Sequence, residues 1–464
     1  AASLALLGAG AFSFVHLPID AVPDITNVQV QINAEAPGFT PQEVEKRVTL
    51  PLETQLAGIP GLQSTRSLSR YGLSQITAVF DEGTDIYFAR AQIGERLVEA
   101  REALPEGVGT SMGPISTGLG EVFFYTLEPD TSVPDPITDP GELKTIHDWI
   151  VKPQLRRLPG VAEVNSTGGR DQVIQVVPDP LRMAARSVTF EHLIQAIRKN
   201  VENVGAGYVE RGGEQVLVRF PGQPAEPSEL SAVVVTHKDG IAVRLSEVAN
   251  VVWGAQLPTG AATAQGAEVV LGTVVMLKGA NSRDVAQASA VAIDKIRPSL
   301  PRGVKLTTVY DRTSLVNRTI STVEKSLMEG ALLVVVVLFL LLGNFRAALL
   351  TALVIPLSMA ATLLGMQRFG ISANLMSLGA LDFGLIVDGA VILVENYVRM
   401  LAHRQGSDGA LLDLHQRQDL VRESSREVRR STLFGVGIIT AVYLPILALE
   451  GVEGKMFHPM AWTV

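Results

Sequence analysis

Three carboxylates interrupt one of the most apolar stretches of the chain. The run ISANLMSLGALDFGLIVDGAVILVENYVRM, residues 371–400, carries Asp382, Asp388 and Glu395. It is long enough to cross a bilayer, where an acid at mid-depth costs on the order of 2.5–3.5 kcal/mol. Acids retained at such a cost point to the movement of ions or protons. On a helix, Asp388 and Glu395, seven residues apart, share one face at about 10 Å along the axis. Asp382 stands roughly 120° round from Asp388. Gly379, Gly384 and Gly389 leave room for a neighbouring helix. The plain alternative is that the outer acids snorkel to the interfaces, which still leaves Asp388 deep.

Such a helix needs a membrane bundle to hold it, and the chain has apolar runs at both ends of a long polar region. With 464 residues it exceeds one ordinary domain, and its apolar runs are concentrated near the termini. The opening AASLALLGAGAFSFVH is expected to be the end of a truncated first membrane helix, residues 1–16, because no charged region precedes it as in a signal peptide. Further spans are expected at 320–343, 347–366 with a kink at Pro356, 372–398, and 431–449 with Pro445; another begins at 456–464. Residues 399–430 form a polar segment with seven Arg and five acids. Together with Arg346 in GNFR, this Arg-rich segment is expected on the cytoplasmic side. The large polar region then lies on the opposite side. Cysteine is absent, which excludes disulfides and thiolate metal sites from this chain. The net charge of −8, with no basic stripe, argues against nucleic acid as a partner.

The polar region, from Val28 to about Thr319, alternates strands such as VQVQINA and QITAVF with charged amphipathic helices. It also repeats itself. A helix ending LAGIPGL and one ending LRRLPGV are each followed by a strand; LPEGV later matches LPRGV in the same order. The pattern predicts two related α+β units with antiparallel-rich sheets, the second interrupted near 171–256 by a further small domain. Within that insert, VGAGYVERGGEQVLVRF reads as a hairpin.

Other motifs carry little. Asp382-Phe383-Gly384 matches the kinase metal triplet, but no Gly-rich loop or catalytic Lys accompanies it. His16, His147, His192, His237, His403, His415 and His458 never fall in zinc-enzyme spacing, and each reads as a solvated or capping residue.

At this point the chain resembles the N-terminal half of a resistance-nodulation-division (RND) pump of the heavy-metal branch, close to the cobalt-zinc-cadmium (Czc-type) inner-membrane transporters. The motifs LPIDAVPDITNVQVQ, SRYGLSQITAVF, MGPISTGLGE, NVGAGYVERGGEQ, ISANLMSLGALDFGLIVDGAVILVEN and GVEGKMFHPMA carry the resemblance nearly end to end. The D-F-G, D-G-A and E-N series in the fourth helix is its specific part.

The resemblance implies a membrane α-helical bundle plus a large periplasmic α+β region. That region would hold two ferredoxin-like βαβ porter subdomains, at 24–112 and at 113–170 with 257–312, and an inserted docking subdomain at 171–256. It further implies a secondary transporter rather than an enzyme, a metal/proton antiporter of the bacterial inner membrane. Asp382, Asp388 and Glu395 would be its proton relay, with Asp388 central and the basic partner in the other half. Zn, Co or Cd would be the transported ion, and no tightly bound cofactor is implied. A homotrimer would meet a periplasmic membrane-fusion adaptor and an outer-membrane channel.

For the metal path, Glu121 in STGLGEVFF and Glu163 in LPGVAEVNS are the candidates, since zinc-like ions accept carboxylate ligands in open sites. The plain alternative for each is a solvated strand-edge glutamate. Two other functions remain open: an RND exporter of organic compounds, or a non-transporting envelope scaffold or receptor on the same fold. The low aromatic content, 5%, speaks against a drug pocket. A scaffold would have no use for Asp388.

Overall fold

Strand VQVQINAE, β1 (Val28–Glu35), alternates so that Val28, Val30, Ile32 and Ala34 bury on one face while Gln and Asn occupy the other. The computed structural model describes residues 2–17, 20, 23–220, 222–238, 240–258, 260–343, 345–374, 376–377, 383–408 and 413–464. After β1 a helical run, Pro41 to Leu56, opens on a capping box: Thr40 accepts from the Glu43 amide, and the Glu43 carboxylate takes the Thr40 amide. It leads to β2 (Leu62–Arg70), β3 (Leu73–Phe80), a helix Ile86–Ala100 and β4 (Gly109–Met112). The sheet order is β2-β3-β1-β4, antiparallel throughout, and both helical runs cover its apolar face.

The same plan returns. β5 (Glu121–Pro129) leads into a helical run from Pro140 to Arg156 and then β6 (Val161–Thr167). Here the chain leaves the sheet through Gly168 and Gly169. Both have positive φ, and a Cβ on Gly168 would stand 2.6 Å from the Val269 carbonyl oxygen, so only glycine fits.

The excursion carries β7 (Gln172–Pro178), β8 (Val204–Arg211), β9 (Glu214–Phe220), β10 (Val234–Lys238), β11 (Ile241–Arg244) and β12 (Ala249–Ala255). It has a core of its own around Met183, Leu193, Leu230 and Leu245. Antiparallel pairs β7 with β12, β8 with β9 and β10 with β11 build it. β13 (Ala262–Ala264) then turns into β14 (Ala267–Met276), followed by helix Ser282–Ile296 and β15 (Val304–Asp311). The second sheet reads β6-β14-β5-β15, the order of the first, with β13 added beyond β14's start. Its core gathers Phe123, Tyr125, Leu143, Leu155, Val274 and Ile293.

The two units share a backbone irregularity that the sequence explains. Each first helical run widens to a π turn, Glu45–Thr49 and His147–Val151. Pro51 and Pro153 follow each turn at the same offset. A proline has no N–H and clashes with the carbonyl four residues back, and the wider turn relieves both.

Outside the two sheet units and the insert lie the helices Ala2–His16, Arg312–Leu342, Phe345–Ala352 with Val354–Phe369, Phe383–Asp408, Leu414–Tyr443 and Gly451–Thr463. Among the described residues, Phe345–Phe369 and Leu414–Ala448 are long and apolar enough to cross a membrane. Large apolar side chains such as Leu332, Leu340, Leu350 and Phe434 face outward, an arrangement suited to a non-aqueous surround. The break between Ala352 and Val354 falls where the Pro356 ring would meet the carbonyl of Ala352. Helix Ala2–His16 crosses Val354–Phe369 at Gly10, where a Cβ would lie 2.4 Å from that of Ala360. The polar segment 399–430 is largely helical rather than a loop. Phe383–Asp408 extends into it from one end and Leu414–Tyr443 from the other.

Candidate functional site

The segment bearing the acids opens in a tight turn. Asn374 Oδ1 accepts from the amides of Met376 and Ser377 at 3.0 and 2.9 Å, and Ser377 Oγ accepts from the Asn374 amide at 2.9 Å. Asn374 and Ser377 are fully buried. Asp382 lies outside the described residues. Asp388 and Glu395 sit on helix Phe383–Asp408, both exposed, two turns apart on one face.

Leu414–Tyr443 packs alongside this helix, and small or polar residues set the contact. Gly389, next to Asp388, meets Thr432: a Cβ there would stand 3.1 Å from Thr432 Cγ2. Among the described residues, the buried Thr432 hydroxyl has no hydrogen-bond partner. Immediately after Glu395, buried Asn396 donates to the Ser424 carbonyl and to Glu427, each at 3.1 Å. Arg399 donates to Asn396 Oδ1 at 2.7 Å and pairs with Glu427, while Arg404 pairs with Glu423 at 2.6 Å. The basic residues of this end therefore clamp the two helices together, and among the described residues neither Asp388 nor Glu395 has an ion-pair partner. The acid helix offers charge to whatever covers that face.

The other two candidates come together on the second sheet. Val275 of β14 pairs with Glu121 on β5 and with Glu163 on β6, so both glutamates lie in one row with Val275 between them. Strand spacing puts their Cα atoms about 10 Å apart. Their neighbours in the next row, Phe123, Val274 and Val164, are fully buried on the opposite face. Glu121 is exposed and Glu163 half-buried. Val275 between them is buried. Among the described residues no group of three or more His, Asp or Glu gathers at metal-binding distance.

His147 departs from its reading as a solvated or capping residue. It is fully buried, with Nε2 2.9 Å from the Tyr125 hydroxyl and Nδ1 3.0 Å from Asp148 Oδ1. Ser166 Oγ donates to the same carboxylate at 3.0 Å. The ring proton belongs on Nδ1, leaving Nε2 to accept from tyrosine. Burial, then the charge of Asp148, drives the Tyr125 hydroxyl above the ordinary phenol range. Burial would also raise Asp148, but bonds and charge from His147, the Ser166 bond and Lys152 outweigh it and hold the carboxyl below the usual carboxylate range. Spacing could not reveal this group, because Tyr125 and Ser166 come from different strands. His192 is a capping residue, bonded to Thr189.

The match to known proteins covers the whole chain. The model of the AcrB/AcrD/AcrF family matches residues 1–464. "Cation efflux system protein CzcA" of Alcaligenes sp. (strain CT14) is 54% identical over 462 residues, 99% of this chain and 44% of the relative. "Protein HelA" of Legionella pneumophila is 55% identical over 456 residues, 98% of this chain and 43% of the relative. A crystal structure described as a heavy metal efflux pump, crystal form II, aligns with a TM-score of 0.88 at 33% identity, covering all of this chain and 44% of that one. The chain therefore spans less than half the length of the proteins it matches.

Proposed function

This chain belongs to the AcrB/AcrD/AcrF family, and from that premise we propose that it is part of a proton-driven exporter of divalent heavy-metal cations, Zn, Co or Cd, working in a bacterial inner membrane. The observation that carries the reading is Asp388: an acid on an apolar helix, with Gly389 packed on Thr432 and no ion-pair partner among the described residues. A carboxylate so placed can take a proton from one side and hand it to the other. The field supplies about 2.3 kcal/mol per proton per 100 mV, enough to shift a conformational equilibrium by more than tenfold.

In this reading Asp382, Asp388 and Glu395 form the relay, and Glu121 and Glu163 contribute to the metal path. The two β-α-β-β-α-β units are the porter subdomains, 24–112 and 113–170 with 257–312, and 171–256 is the docking subdomain. The Arg-rich end of the acid helix faces the cytoplasm and the sheets face the periplasm. The protein works as a trimer with an adaptor and an outer-membrane channel. The test is metal-driven proton counterflow in proteoliposomes of the full-length protein, beside zinc, cobalt and cadmium tolerance of a sensitive strain. Wild type exchanges protons for metal and Asp388→Asn does not; equal rates would remove the relay, and unchanged tolerance would remove the export reading.

A further inference from the structure

The turn that opens the acid-bearing segment is tied to both sheets through two ion pairs, Asp20–Arg312 buried and Lys455–Glu82 with its carboxylate exposed. The first tie begins at Ala373, whose carbonyl accepts from the Asp20 amide at 3.0 Å. Asp20 Oδ1 in turn accepts from Arg312 Nε and Nη2 at 3.1 and 2.8 Å. Arg312 is 5% exposed and is the first residue of helix Arg312–Leu342, directly after β15. Its Nη1 donates to the Leu119 carbonyl at 3.0 Å. Leu119 lies two residues before Glu121, at the entry to β5.

The second tie begins at Ser377, whose carbonyl accepts from Thr463 Oγ1 at 3.1 Å. Thr463 ends the helix that starts at Gly451 and carries Lys455. Lys455 Nζ donates to the Thr26 carbonyl at 3.0 Å and Asn27 Oδ1 at 3.1 Å, and pairs with Glu82 at 3.2 Å. Those residues flank β1 and β3 of the first sheet. Thr26 Oγ1 also accepts from the Gly118 amide, joining the two ties below the sheets.

We propose that Asp20–Arg312 and Lys455–Glu82 are the struts through which a change at the relay acids reaches the two sheets, the first acting on the second sheet and the second on the first. The proposal rests on the reading of Asp388 as relay. Its physical basis is stiffness. A charged pair held by several directional bonds fixes the distance between the elements it joins, so displacement of one is passed to the other. One end of each strut is the buried Asn374–Ser377 turn, and the other is the end of a central strand of a sheet. Movement of the acid helix along its axis therefore pulls Leu119 through Arg312, and tilts Thr26 through Lys455. These four residues are positioning residues; none touches the ion.

The test is hydrogen exchange on the full-length protein in lipid nanodiscs, with Asp388→Asn fixing the relay in its uncharged form. In the otherwise wild-type protein, Asp388→Asn is expected to change exchange at β5 and at β3 by about threefold or more. Adding Arg312→Gln removes the response at β5 and spares β3; adding Lys455→Gln does the reverse. The conservative Arg312→Lys, which keeps donors for both Asp20 and the Leu119 carbonyl, restores the β5 response, which separates a broken strut from a misfolded protein. A response at β5 that survives Arg312→Gln overturns the proposal, as does an Asp388→Asn protein whose sheets exchange like wild type. Metal tolerance of the wild type, measured separately, distinguishes failure of the export reading from failure of the struts.

Discussion

Glu121 and Glu163 stand in one row of the second sheet, on different strands, each paired with the same residue, Val275. A site made of these two carboxylates has a defined signature. Glu121→Gln and Glu163→Gln should each weaken zinc binding to the full-length protein about tenfold, roughly 1.4 kcal/mol. The double variant should lose little more than either single one, because two ligands of one ion are coupled. Calorimetry with zinc alone measures this, and unchanged affinity in both single variants would assign the row to ordinary solvated glutamates.

Tyr125, His147, Asp148 and Ser166 should behave as one unit. Tyr125→Phe leaves His147 Nε2 buried with no donor and should cost about 1–3 kcal/mol. Loss of exchange protection across residues 140–156 is the readout. Wild-type protection after Tyr125→Phe would mean that the ring finds another partner.

Asp148 also sets a pH dependence. Its folded-state pKa is depressed, so its charge stabilises the fold above the ordinary carboxylate value of about 3.9, and that contribution fades as pH falls through the lower folded-state value. The stability gap between wild type and Asp148→Asn should therefore hold steady from about pH 5 to 8 and close below about pH 4. A gap that widened on acidification would reverse the sign and refute the assignment.

Gly272 makes room for the Tyr125 ring. A Cβ there would lie 2.1 Å from Tyr125 Cζ, and both residues are on paired strands at the sheet centre. Gly272→Ala should destabilise by about 1–3 kcal/mol through overpacking. Combining it with Tyr125→Leu should recover part of that loss, and additive losses in the double variant would contradict the steric account.

Asn396 should be needed for the alignment of the two acid-end helices. Asn396→Leu removes bonds to Ser424 and Glu427 and leaves Arg399 with one partner fewer. A cost of about 1–3 kcal/mol is expected. Proximity labelling between positions 399 and 427 would report the separation, and an unchanged distance would show that Gly389 against Thr432 suffices.

The strand alternation of β1, the Leu-Pro-x-Gly repeats and the acids on an apolar run were legible because each depends on neighbours within a turn or a strand. The prolines after each π turn could be seen in the same way, although what they do to the helix appears only once the turns are drawn. His147 misled, because its burial depends on a tyrosine and a serine supplied by separate strands.

By itself, the sequence determined the polarity of every element, the acids of residues 371–400, and the family to which the chain belongs. Local periodicity and motif order carry that information, and no distant contact is needed to read it. Tertiary structure alone decided that Glu121 and Glu163 share a row, since a bulge in β5 sets which residue faces Val275. It also decided that Asp20 meets Arg312 and that Lys455 meets Glu82. Those charges are hundreds of residues apart along the chain, and only the closing of the helices under the two sheets brings them within hydrogen-bonding reach.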